Sequence, residues 1–214
     1  MKSRRSKSEQ RTDARHDLKA IQDALRKPLL QGEPFDYAAR ARQVAEAQQW
    51  NTLASQMRFR PPADPQTWDV HKATAERLWK ALDAAYPEGF WEDCKKLKAG
   101  DAAGLETAIR FLEADPYFFR SGYIKAWLIR GIKPSMLTPA YRKRLQQVVL
   151  SLIDRRDDRD FRAFCKLACK VDAPELREQL TQRLTHNDPN VRRRARWVLE
   201  ALAQKDSMEK IRKM

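Results

Sequence analysis

Apolar residues along this chain recur at intervals of three and four, which is the spacing of a helix with one buried face. Leu18, Ile21, Leu25 and Leu29 illustrate the pattern and predict a first helix that begins near Asp13 or Asp17. The same spacing predicts nine more helices, at about 36–57, 67–85, 90–97, 105–114, 119–132, 138–154, 160–171, 174–184 and 189–203. No segment shows sustained alternation of apolar and polar residues. The sequence therefore predicts an all-α protein with essentially no strand.

Three segments of the C-terminal half resemble one another. Each has an Asp-containing turn, then an apolar residue, then an arginine, and each continues into a helix with alanine near its middle. They are Ala114–Leu128, Asp157–Ala168 and Asn187–Leu202. The apolar residue recurs after 42 residues, from Phe119 to Phe161, and after 30 residues, from Phe161 to Val191. Both intervals are typical of repeats built from pairs of helices.

The last of these segments, THNDPNVRRRARWVLEAL, resembles a HEAT-like repeat. The second helix of that family's repeat commonly begins Asp-Pro-x-Val-Arg, which corresponds here to Asp188, Pro189, Val191 and Arg192. The other two copies depart from the pattern, because Phe replaces Val and the proline is shifted or missing. The resemblance covers residues 104–204. It implies an α-solenoid of stacked antiparallel helix pairs, preceded by an N-terminal helical extension, with a recognition surface rather than a chemistry.

Breaks in the periodicity predict how the chain is organised. Three prolines interrupt the stretch RFRPPADP at 58–65, which makes it the predicted linker. The predicted parts are a disordered basic lead-in at 1–12, N-terminal helices at 13–60, a helical-repeat domain at 66–204 and a basic C-terminal tail at 205–214. No apolar run approaches the length that a membrane span needs, and no signal peptide is recognised, so a cytoplasmic location is expected.

Charge gives the sharpest indication of a partner. The formal net charge is +14, and residues 120–170 contain 13 Lys and Arg against 4 Asp and Glu. If the three repeat helices stack in register, their cations form neighbouring rows that suit a phosphate backbone. The predicted nucleic-acid-binding residues are Arg120, Lys125, Arg130, Arg155, Arg159, Arg162, Lys166, Arg193, Arg194 and Arg196. We expect DNA to be favoured over RNA as the partner.

Two other functions compete with nucleic-acid binding. A scaffold or adaptor that grips an acidic protein would carry the same charge. A DNA glycosylase of the HEAT-repeat type would share the basic concave surface, although no catalytic constellation matches residue by residue. The sequence contains no phosphate-binding loop, zinc-protease motif or nucleophile elbow, so we predict no cofactor, no metal and no catalytic residue. Cys165 and Cys169 share a helix face and are interpreted as buried thiols.

Some of these side chains have a competing role in the fold. Arg120, Arg162 and Arg192 are expected to pair with neighbouring acidic turns, such as Asp157, Asp158 or Asp188. Trp127 and Trp197 lie in the middle of predicted helices, where packing in the core is the expected role. The aromatic cluster around Arg120 is expected to anchor one helix pair on the next. Its members are Tyr117, Phe118, Phe119 and Tyr123.

Overall fold

Helices account for most of the described chain, which comprises residues 7–32, 34–58, 65–155 and 161–213 of the computed structural model. These residues contain ten α-helices and no strand, as the periodicity predicted. The helices are α1 (Lys7–Arg26), α2 (Tyr37–Arg58), α3 (Pro65–Asp83), α4 (Phe90–Lys98), α5 (Leu105–Ala114), α6 (Ser121–Ile132), α7 (Pro139–Arg155), α8 (Phe161–Lys170), α9 (Pro174–Gln182) and α10 (Pro189–Lys213). None of these helices is long and apolar enough to cross a bilayer.

Several helices have a side-chain cap at their N-terminus, at the position where the sequence has a capping residue. The Asp36 carboxylate accepts the backbone N–H of Ala38, and Thr138 Oγ1 accepts that of Tyr141. Asp188 Oδ1 accepts the N–H of Asn190 at 2.8 Å. Each cap satisfies a backbone donor that has no partner within its helix, which typically stabilises a helix by about 1 kcal/mol. The predicted helix starts at Thr138-Pro139 and Asp188-Pro189 are confirmed.

Two helices extend into the segments that the sequence analysis predicted as a lead-in and a tail. Helix α1 begins at Lys7, so the lead-in predicted to be disordered at 1–12 contains the first helical residues. Helix α10 continues to Lys213, through the predicted tail at 205–214. The continuation of α10 has a physical cause, because Asp206 accepts hydrogen bonds from Arg177 on α9, and Lys205 pairs with Asp172. These contacts hold the start of the predicted tail against the preceding helix.

The first of two units, Met1–Glu88, contains α1, α2 and α3, and each of these helices packs on the other two. Ile21 of α1, Ala54 and Met57 of α2, and Val70 of α3 form its apolar core. Since α3 shares this core, the unit ends between Glu88 and Gly89 rather than at the proline-rich stretch. The domain ranges of 13–60 and 66–204 stay predictions from the sequence, and residues 59–64 of the predicted linker lie outside the described residues.

The second unit, Gly89–Met214, has a regular pattern of helix contacts. Every helix from α4 to α8 packs on the next helix but one. The contacts are α4 with α6, α6 with α8, α8 with α10, α5 with α7 and α7 with α9. Consecutive helices also pack in the pairs α4 with α5, α5 with α6, α7 with α8 and α9 with α10, and α7 in addition contacts α10. Among the described residues, α6 does not contact α7, and α8 does not contact α9. Helices that are separated in sequence by a whole helix are therefore direct neighbours.

Two glycines allow a close approach to α4. A Cβ atom on Gly104 would lie 2.1 Å from the backbone oxygen of Asp93, which no side chain tolerates. A Cβ atom on Gly131 of α6 would lie 2.9 Å from Cγ of Leu97. The first obstacle is backbone and the second is a flexible side chain. Only Gly104 is therefore strictly required by the packing.

We expect Gly104→Ala to lower the free energy of unfolding by about 2–3 kcal/mol, because α4 must move away from the start of α5. Gly131→Ala should cost less than about 1 kcal/mol, since Leu97 can shift and alanine is the better residue inside a helix. Urea unfolding followed by circular dichroism measures both variants. Equal losses of stability would contradict the assigned role of Gly104.

Candidate functional site

A groove between α6 and α8 is lined, among the described residues, by apolar and positively charged side chains. Its volume is about 260 Å³. Its apolar lining consists of Ala126, Ile129, Ala163 and Leu167, and its charged lining of Arg130, Lys133, Arg162, Lys166 and Lys170. None of the described residues that line it is a carboxylate. Of the residues predicted from the sequence, Arg130, Arg162 and Lys166 are brought together here.

Helical spacing explains the alignment of the cations on α8. Arg162, Lys166 and Lys170 follow one another at steps of four residues, so they share a face. Phe161, Phe164, Leu167 and other apolar residues of α8 are buried. On α6, Arg130 and Lys133 lie one turn apart at the C-terminal end of the helix, where cations are favoured by the helix dipole. Lys133 and Lys170 also line the groove, although they were not among the predicted binding residues.

A second concavity lies between α4 and α6 and shares Arg130 with the groove. Its volume is about 320 Å³, and its lining includes Lys98 of α4, Trp127 and Arg130 of α6, and Pro134. Trp127 is half-buried rather than part of the closed core that the sequence predicted. The cationic surface therefore extends from α4 across α6 to α8.

The third predicted row, on α10, lies next to α8 but does not line the groove. Arg193 and Arg196 are exposed. The Arg193 guanidinium lies 5.2 Å from the ring centroid of Trp197, and that ring lies 5.7 Å from the ring of Phe161 at the start of α8. Trp197 is 41% exposed, so the prediction that it is a core residue is wrong.

Two predicted binding residues are buried and are removed from the candidate surface. Lys125 is 1% exposed, and its ammonium group donates to Asp115 at the end of α5. Arg194 is 3% exposed, and its Nε donates to the backbone oxygen of Ile153 near the end of α7. Both face inward because helical spacing aligns them with apolar neighbours, such as Leu128 for Lys125 and Val191 for Arg194. Sequence reasoning counted them as cations without resolving which side of the helix they occupy.

The remaining predicted residues lie outside the groove. Arg120 is exposed, has a positive φ of 69° before α6, and places its guanidinium 5.2 Å from the Phe119 ring centroid. Arg155 is exposed at the end of α7, and Arg159 falls outside the described residues. Of the aromatic cluster near Arg120, Phe118 is buried, as expected for an anchor. The other three members, Tyr117, Phe119 and Tyr123, are 66%, 48% and 58% exposed, so the prediction fails for them.

Several arginines outside the groove form ion pairs with carboxylates of neighbouring helices. Arg144 of α7 donates to both Glu106 and Glu113 of α5, with its shortest contact to each at 2.7 Å. Arg183 pairs with Asp154 of α7 in the same bidentate way. In contrast, the five cations of the groove form no ion pair with any carboxylate in the described ranges.

The arginines that were expected to pair with acidic turns of the fold differ in their contacts. Arg192 does serve the fold, but it donates to the backbone oxygens of His186 and Asn187 at 2.7 and 3.0 Å rather than to an acidic turn. It thereby closes the turn that precedes its own helix. Arg162 lines the groove, and the acidic turn at Asp157 and Asp158 with which it was expected to pair lies outside the described residues.

The described part of the chain gives no sign of a metal or thiol centre. No three of its His, Cys, Asp or Glu side chains lie close enough to hold a metal ion. Burial raises the pKa of Cys94 to about 12 and that of Cys165 to about 11. These thiols are therefore protonated and unreactive near neutral pH.

Comparison with protein-family models, curated proteins and solved structures gave no match to this chain. The HEAT-like resemblance therefore stays a prediction from the sequence.

The paired arginines predict how stability depends on pH. Hydrogen bonds from Arg144 and then Arg110 hold the pKa of Glu106 below its usual value, although burial opposes the shift. A carboxylate with a lowered folded-state pKa stabilises the protein above its unfolded pKa, and this contribution is lost as pH falls through the folded value. We expect Arg144→Met to lower the free energy of unfolding at pH 7 by about 1 kcal/mol, since the groups are a third exposed.

The difference between wild type and Arg144→Met should shrink as pH falls below about 4, where the unfolded carboxyls are protonated. Lys143→Met is the matched control, because Lys143 is an exposed neighbour on the same helix. Denaturant unfolding at pH 7 and pH 3 makes the comparison. A difference between wild type and Arg144→Met that does not change with pH would show that the ion pair is not its source.

Proposed function

We propose that this protein binds nucleic acid through the phosphate backbone, on the cationic surface of α6 and α8. The observation that carries the proposal is the groove itself, whose described lining brings five cations together and includes no carboxylate. Like charges this close repel one another, so the arrangement is favourable mainly when a polyanion neutralises it. Nucleic acid has the highest charge density among common partners, and neutralising its phosphates releases condensed counterions.

The helix contacts of the second unit support a surface of this kind. We infer an α-solenoid of stacked helix pairs, because alternate helices pack on one another to form two rows, α4–α6–α8–α10 and α5–α7–α9. In such an array one row presents its helices as a continuous recognition face. The cations of α6 and α8 and the exposed arginines of α10 all belong to the same row.

The chemistry of the groove favours binding that tolerates many sequences. Its polar groups are guanidinium and ammonium groups, which contact phosphates and position a protein without reading bases. DNA is the preferred ligand in this proposal, and duplex DNA is the first probe.

The proposal predicts the salt dependence of DNA binding. Arg130→Glu, Arg162→Glu and Lys166→Glu combined should weaken duplex binding at least about 100-fold, because three phosphate contacts become repulsive. The slope of log K against log salt concentration should fall by about 3, at roughly 0.9 per contact. Fluorescence anisotropy of a labelled duplex across a salt series measures both quantities, and single strands and RNA are titrated in parallel.

The matched control carries the same change of charge elsewhere. Lys72→Glu, Lys143→Glu and Lys210→Glu combined alter three exposed lysines outside the groove. This control should retain most of the affinity. Equal losses in the two triple variants would show that net charge, not the groove, drives binding. If the wild type fails to bind any nucleic acid at low salt, the proposal is overturned and an acidic protein becomes the better partner.

A further inference from the structure

One face of α6 carries aromatic and cationic side chains in succession. Tyr123, Trp127 and Arg130 follow one another at steps of four and three residues, so helical spacing places them on the same side of the helix. Tyr123 is 58% exposed, Trp127 is half-buried and Arg130 is exposed. This face therefore presents two aromatic rings and a guanidinium group along about 10 Å of helix.

The concavity between α4 and α6 lies on this face of α6. Trp127 and Arg130 line it from α6, and Lys98 lines it from α4. Leu97 and Gly131 also line it. Because Gly131 has no side chain, α6 can lie close to α4 here, where a Cβ atom would be 2.9 Å from Cγ of Leu97. The result is an apolar concavity that has a tryptophan ring in its wall and a cation on each helix.

The lining of this concavity matches the two parts of a nucleotide. A nucleobase is a flat ring that stacks on an aromatic side chain, and guanidinium and ammonium groups neutralise its phosphate. The volume of about 320 Å³ is at the lower end of the range for small-molecule sites, which suits one base rather than a base pair. None of the described lining residues is a carboxylate that would repel the phosphate.

Arg130 connects this concavity to the cationic groove, because it lines both. A nucleic-acid backbone that contacts Arg130 from the groove therefore lies beside the concavity. In a duplex the bases are paired and stacked on one another, so no ring is available to Trp127. In a single strand a base can turn outward and stack on a side chain.

We propose that the concavity between α4 and α6 binds an unpaired nucleobase, which stacks on Trp127 while its phosphate contacts Arg130. This inference rests on the proposed function, and it names single-stranded DNA as the preferred form of the ligand. Tyr123, one turn before Trp127 on the same face, provides a ring for a neighbouring base. Stacking accepts every base, so binding still tolerates many sequences.

Two single strands of equal charge separate base stacking from phosphate binding on the full-length chain. One is oligodeoxythymidine and the other is an abasic strand with the same backbone, each about 20 nucleotides long, which exceeds a typical single-strand site. The wild type should bind the thymidine strand at least about tenfold more tightly, because only that strand has rings. The slopes of log K against log salt concentration should be equal, since the phosphates are equal in number. Fluorescence anisotropy of the labelled strands measures both quantities.

Variants of Trp127 test the residue. Trp127→Leu should weaken binding of the thymidine strand at least about tenfold and leave binding of the abasic strand unchanged, while Trp127→Phe keeps a ring and should retain most of the affinity. Trp79→Leu is the matched control, because Trp79 is 55% exposed and lies on α3, outside the concavity. If Trp127→Leu does not fold, a strand that carries 5-iodouracil is photo-cross-linked to the wild type. The cross-link should then map to Trp127 or Tyr123.

The possible failures of the two proposals differ. Equal affinity of the wild type for the thymidine and abasic strands, falling with salt for both, would overturn this inference and leave phosphate binding intact. Equal weakening by Trp127→Leu and Trp79→Leu would also overturn it, and so would cross-links that map only outside α4 and α6. If neither strand nor a duplex binds at low salt, the proposed function fails and this inference fails with it.

Discussion

The packing of α6 against α8 is the contact on which the candidate interface depends. The two helices are separated along the chain by the whole of α7, yet they are direct neighbours. Apolar residues from both helices, including Ile129 and Leu167, line the space between them. Burial of apolar surface therefore brings Arg130 and Lys133 close to Arg162, Lys166 and Lys170, against their mutual repulsion.

Carboxylates decide which of the remaining cations are available. Arg144 lies between two glutamates of α5, Arg177 between Asp172 and Asp206, and Arg183 beside Asp154. These ion pairs join α5 to α7 and α7 to the turn after α9. Their carboxylates are already paired and do not neutralise the basic surface of α6 and α8. The local excess of positive charge around α6 and α8 is thus a consequence of where the ion pairs form, and not only of how many lysines and arginines there are.

Two different cationic environments occur in this protein. Four of the five groove cations are exposed and Lys170 is half-buried, which is consistent with the polyanionic partner that we propose. Arg40 is single and buried, and its guanidinium contacts the Gly32 oxygen and the Phe35 ring. The same residue type serves both environments because hydration of the guanidinium group is weak enough for partial burial.

The sequence alone determined the helices of this protein. Spacing of apolar residues and the Thr138 and Asp188 caps located most helix ends within a few residues, since helix formation depends on neighbours three and four positions away. The same reasoning identified Arg130, Arg162 and Lys166 as surface cations. Only the tertiary structure decided that Lys125 and Arg194 turn inward, that α3 belongs to the first unit, and that Arg40 lies buried beside a cavity. These outcomes depend on contacts between helices, such as Lys125 with Asp115 and Arg194 with the oxygen of Ile153, and residues far apart in sequence leave no periodic signal of such contacts.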